Sequence, residues 1–96
     1  MTGGEATGPR ETYLVEQYRP GFELDRLRRT AAEVRESAHE LEREGKQVRF
    51  LRSTIIPADE ALLCLLEAAS EELVRETYDR AGISFDRISA AAPDEG

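Results

Sequence analysis

Four side chains in this sequence have the types and placement to build one polar site: Glu16, Tyr18, Arg52 and Glu67. Each lies in a stretch rich in β-branched, aromatic and aliphatic residues, so each is expected on a strand. Side chains alternate between the two faces of a strand. If Ile56 pairs with Ala61 across a tight turn, Arg52 opposes Leu65, Ser53 opposes Cys64 and Phe50 opposes Glu67. One face then carries Phe50, Arg52, Thr54, Leu63, Leu65 and Glu67, and the first strand adds Leu14, Glu16 and Tyr18 to it. The other face carries Leu51, Ser53, Ile55, Leu62, Cys64 and Leu66, with Tyr13 and Val15. A carboxylate in apolar surroundings must be paired, hydrogen-bonded or protonated, and Arg52 is placed to neutralise Glu16 or Glu67. Such a cluster can line a pocket for a small ligand or supply a general base. It serves equally as an ion pair in a subunit interface.

Other reactive side chains carry less. Cys64 is the single cysteine and sits in an apolar run, so it reads as a buried, inert thiol that forms no internal disulfide. His39 lies among Arg35, Glu36, Glu40 and Arg43 on a helix flank, the setting of a solvated surface histidine. One imidazole beside two exposed carboxylates is a weak metal set. There is no phosphate loop, nucleotide fingerprint, CxxC pair or nucleophile elbow, so no motif specifies a reaction.

The elements that must hold these residues form strand–helix–strand twice, over about 11–56 and 61–91. Residues 12–18 give the first strand, and Pro20-Gly21 ends it. Leu24, Leu27, Ala31, Val34, Ala38 and Leu41 recur at helical spacing and give one apolar stripe. Gly45 suits the stop after that helix. Residues 47–56 and 61–68 are two strands joined by the turn at 57–60. The second is apolar almost throughout, the pattern of a central strand buried on both faces. Ser70 caps a second helix, Glu71 and Glu72 favour its N-terminal dipole, and Gly82 ends it. Residues 85–91 form the last strand. Two such units make an α+β, ferredoxin-like βαββαβ domain, with a four-stranded antiparallel sheet and two helices on one face. The free face is apolar enough to be an association surface, so dimerisation through it is expected.

Composition sets outer limits. A chain of 96 residues makes one domain, here 11–92, with a flexible tail over 1–10 and a short acidic tail over 93–96. A net charge of −7 with no basic patch argues against nucleic acid. The opening ten residues lack the apolar run of a signal peptide, and no segment is long enough to span a bilayer. A cytoplasmic protein without a membrane partner is expected.

Several stretches together resemble a known family. They are Tyr13-Leu14-Val15-Glu16 with Pro20-Gly21, and Val48-Arg49-Phe50-Leu51-Arg52-Ser53-Thr54 with Pro57 and Asp59-Glu60. Cys64-Leu65-Leu66-Glu67-Ala68 and Ala81-Gly82-Ile83-Ser84-Phe85-Asp86-Arg87-Ile88 complete the likeness. The chain is similar, over about 12–91, to a family of small bacterial domains of unknown function that includes nickel-binding proteins. The resemblance implies a ferredoxin-like fold and a homodimer. It implies nickel as a cofactor only where the first strand carries histidines, and here that strand reads Glu16-Gln17-Tyr18. No metal ligand is therefore carried across, while Glu16 and Glu67 stay within family-like motifs. The expectation is a homodimer that binds an unknown small ligand at Glu16, Tyr18, Arg52 and Glu67. The alternatives are a cofactor-free monooxygenase- or isomerase-like enzyme with a glutamate base, a nickel protein, or a protein-interaction module using Glu36 and Glu40.

Overall fold

The computed structural model describes residues 10–92. Of the expected tails over 1–10 and 93–96, all but Arg10 lies outside the described residues. The chain runs β1 (Glu11–Tyr18), α1 (Leu24–Arg43), β2 (Val48–Ile56), a short 3-10 turn (Pro57–Asp59), β3 (Ala61–Ala68), α2 (Glu71–Ala81) and β4 (Arg87–Ala91). The sheet order is β2-β3-β1-β4, with every neighbouring pair antiparallel. This is the expected ferredoxin-like βαββαβ plan. Among the described residues no helix is long and apolar enough to cross a membrane.

Local chemistry accounts for the elements. On α1, Leu27, Ala31, Val34, Ala38 and Leu41 are buried, whereas Leu24 opens the helix and stays exposed. Ser37 joins the buried side because its hydroxyl donates to the Thr77 carbonyl of α2 at 2.7 Å. That bond ties the two helices together. Ser70 caps α2 as expected, its side chain accepting from the Leu73 amide at 3.3 Å. Removing a cap oxygen of this kind costs about 1 kcal/mol. Ser70→Ala is expected to lower the melting temperature by about 4–8 °C in a thermal scan followed by circular dichroism. Gly82 ends α2 at φ +72°, in the left-handed region that disfavours side chains.

The core lies between the sheet and the helices. Tyr13 and Val15 of β1, Leu62, Cys64 and Leu66 of β3, and Val74 and Tyr78 of α2 fill it. Tyr78 meets Phe85 edge-on, with ring centroids 5.4 Å apart. Gln17 is also wholly buried on this side, which the sequence reading did not anticipate.

Registers decide which residues share a face. Ile56 pairs with Ala61, Ser53 with Cys64 and Arg52 with Leu65, as expected. Phe50 does not oppose Glu67. A bulge between Phe50 and Arg52 leaves Leu51 unpaired, so Phe50 meets Leu66 and Arg49 meets Glu67. An extra residue in one strand reverses the alternation beyond it. Phe50 therefore turns to the helix side, where Arg35 lies 5.8 Å over its ring, and Leu51 becomes 43% exposed. Both assignments reverse the expected ones.

β3 occupies the central position expected of it, but it is not buried on both faces. Leu62, Cys64, Leu66 and Ala68 are buried, while Leu63, Leu65 and Glu67 are only half-buried. Both helices pack on one side, so nothing among the described residues covers the other.

Candidate functional site

The open face has an apolar centre and polar ends. Leu14 of β1 pairs with Leu65 of β3 and Ser89 of β4, and Leu63 pairs with Glu16 and Thr54. Leu51 is pushed onto the same side by the bulge. A shallow recess of about 420 Å³ opens beside Leu65, lined by Thr12, Leu51, Arg52, Ala91 and Ala92.

The four expected site residues all reach this face, but they fall into two groups. Glu16 pairs with Leu63 while Glu67 pairs with Thr12, four residues further along the strands. At about 3.3 Å per residue, the two carboxylates sit on the order of 13 Å apart along the sheet. They therefore do not form a pair.

At the first end, the Tyr18 hydroxyl donates to Glu16 Oε1 at 2.7 Å. Residues two apart on a strand share a face, which is why this pair can close. The bond holds the phenol proton and raises the Tyr18 pKa above its usual range. Arg87 of β4, paired with Glu16 in the ladder, brings Nε to 3.8 Å from Glu16 Oε2. Glu16 is thus neutralised by Arg87 rather than by Arg52.

At the second end, Arg10 Nη1 lies 3.3 Å from Glu67 Oε1. Arg10, the last residue of the expected tail, stands just before β1, whose Glu11 and Thr12 run beside Ala68 and Glu67. Arg52 projects into the recess. Among the described residues it makes no ion pair. The sequence reading missed Arg10, Arg87 and Leu51 as parts of this face. The first two needed strand registers, and the third needed the bulge.

The donor atoms of the described residues do not fit a metal centre within one chain. No three His, Cys, Asp or Glu side chains converge among the described residues. His39 is exposed on α1. Cys64 is fully buried, and burial pushes its thiol up to about 11, far from the thiolate that a metal requires. The Tyr78 hydroxyl, also buried, lies against that thiol and has its own pKa raised by the same loss of solvation.

Comparison with known proteins gives one consistent result. The crystal structure of SCO4226 from Streptomyces coelicolor A3(2) matches with a TM-score of 0.66 at 23% sequence identity. The match covers 86% of this chain and 98% of that one. At that identity the likeness shows the fold. No curated protein sequence matches. The family model described as nickel responsive protein SCO4226-like matches residues 13–90, nearly the whole described domain. The chain belongs to the SCO4226-like family.

Proposed function

We propose that this protein is a small-ligand-binding domain that works as a homodimer, with two open sheet faces enclosing the ligand. The observation that carries this reading is β3. Its sequence is that of a strand buried on both faces, yet Leu63 and Leu65 are left half-buried in one chain. Leu14 and the exposed Leu51 extend the same patch. Apolar surface of this kind is stabilised by removal from water. A second copy is the occupant we favour because this face carries its own complement. It offers both an arginine without an ion-pair partner among the described residues, Arg52, and the half-buried carboxylates Glu16 and Glu67. An isologous interface sets each surface against itself. The recess beside Leu65 then becomes the wall of a shared chamber, with Glu16, Tyr18, Arg52 and Glu67 as its polar groups.

The family description favours nickel as a second reading. Within a single chain the described donors do not converge, so no role for a metal is derived from them. Native mass spectrometry of untagged protein, purified without chelators, separates the readings. A dimer carrying an organic mass that is lost in Arg52→Ala is the expected result. A dimer carrying nickel favours the second reading. A bare monomer overturns the shared chamber.

A further inference from the structure

A second recess lies on the helix side of the sheet, and it does not depend on the pairing of two copies. It is a cleft of about 390 Å³ where the end of β1, the first half of α1 and the loop after α2 meet. Three arginines line it, Arg19, Arg26 and Arg29, against one carboxylate, Glu33. That balance is opposite to the −7 charge of the whole chain.

The three arginines are not equivalent. The Arg19 guanidinium is committed: it lies 3.0 Å from Asp86 Oδ2 and donates to the carbonyl and hydroxyl oxygens of Ser84. The Arg26 guanidinium carbon lies 3.9 Å from the centre of the Phe22 ring, and Arg26 makes no ion pair among the described residues. Arg29 makes no ion pair among the described residues.

Gln17 also lines the cleft and is wholly buried. Its Nε2 donates to the Ser84 carbonyl at 3.1 Å. A carbonyl can only accept, so this contact fixes the amide orientation. The Gln17 Oε1 is then a buried acceptor with no hydrogen-bond partner. Buried polar atoms are nearly always partnered, and an exception calls for an explanation such as a bound group that the atom would meet. Burying a glutamine at the end of a strand, in a cleft shared with two arginines that make no ion pair among the described residues, is a costly arrangement for packing alone. It makes sense as a recognition site that supplies both positive charge and one acceptor.

We infer that this cleft binds a small oxyanion that carries its own O–H or N–H donor. The anion pairs with Arg26 and Arg29, and the donor turns to Gln17. Hydrogenphosphate and the α-hydroxycarboxylates share this chemistry. Guanidinium groups suit both phosphate and carboxylate oxygens.

The test uses the full chain, labelled with nitrogen-15, at constant ionic strength. It is titrated in parallel with inorganic phosphate at neutral pH, lactate, and sulfate. Sulfate resembles hydrogenphosphate in size and charge but lacks the O–H donor. Saturable shifts confined to the Gln17 side-chain amide and the amides of Gly82, Ile83 and Ser84 are expected with phosphate or lactate. Which of the two binds tighter identifies the oxyanion. Sulfate is expected to bind at least about 10-fold more weakly, because a site built around a donor discriminates against an analogue that lacks it. Arg29→Ala changes an exposed side chain, so it should keep its fold and lose at least about 10-fold in affinity. The inference is overturned by the absence of saturable cleft shifts with either donor-bearing probe. Equal binding of sulfate, or unchanged affinity in Arg29→Ala, overturns it as well.

Discussion

Leu65→Asp is expected to turn the proposed dimer into a monomer while leaving the domain folded. Leu65 sits at the middle of the open face, between Leu14 on β1 and Arg52 on β2. In the single chain it is only half-buried, so a carboxylate at this position keeps access to water. Between two sheets the same carboxylate would lose its hydration. An unpaired buried charge costs several kcal/mol even after the surroundings relax. A cost of about 3 kcal/mol corresponds to a dissociation constant raised at least about 100-fold. Sedimentation equilibrium at a series of concentrations reads this directly. Far-ultraviolet circular dichroism should be unchanged, and Leu65→Met should remain dimeric because it conserves volume and polarity. The apparent melting temperature of the wild type should also rise with concentration, while that of Leu65→Asp should not. A dimer that survives Leu65→Asp would place the contact elsewhere, and the shared chamber would be abandoned.

The same face shows how far the sequence could be read. The hairpin register from Ile56–Ala61 to Arg52–Leu65 was legible because a tight turn at Pro57 fixes where pairing begins. Alternation then propagates the assignment at no further cost. It failed one residue on, at Leu51. Phe50, Leu51 and Arg52 all suit a strand, and nothing in their types announces an extra residue. A bulge is decided by what the two sides of the ladder can pack, so it is a tertiary event. Burying Phe50 with Leu66 on the core side, and releasing Leu51, is the outcome here.

The polar residues divide in the same way. That Glu16 and Tyr18 share a face followed from their spacing alone. Their partners did not, because Arg87 and Arg10 reach Glu16 and Glu67 through strand pairings between distant parts of the chain. Gln17 is the sharpest case. Its full burial, with its amide donating to a carbonyl 67 residues away, depends on contacts between remote segments that no local pattern announces. Helix stripes, caps and turns are local and were readable. Hydrogen bonds between remote segments were not.

Alkaline pH is expected to destabilise this protein, with a known sign and a core origin. Burial pushes the Cys64 thiol from its ordinary value of 9.0 up to about 11. The folded chain holds that proton to about pH 11, while the unfolded chain releases it above about pH 9. In this window the unfolded state binds fewer protons, so stability falls as pH rises. The slope approaches 1.4 kcal/mol per pH unit for one group, and two units amount to roughly 2.7 kcal/mol. Tyr78 packs against the thiol and is shifted in the same direction, so it adds to the loss above about pH 10. Lys46 is the only lysine, so loss of ammonium charge contributes little over this range. Urea titrations at pH 7, 9 and 10.5 should show the midpoint nearly constant between the first two and sharply lower at the third. Cys64→Ala separates the thiol from the phenol. It should be less stable at pH 7, because it leaves a small cavity beside Tyr78, yet lose less stability between pH 9 and 10. An equal slope in the variant would remove the thiol as the cause. The same burial predicts that Cys64 in the native protein at pH 8 reacts with a disulfide reagent at least about 100-fold more slowly than in urea, since the nucleophile is the thiolate. The rate should then follow opening of the core between α2 and β3.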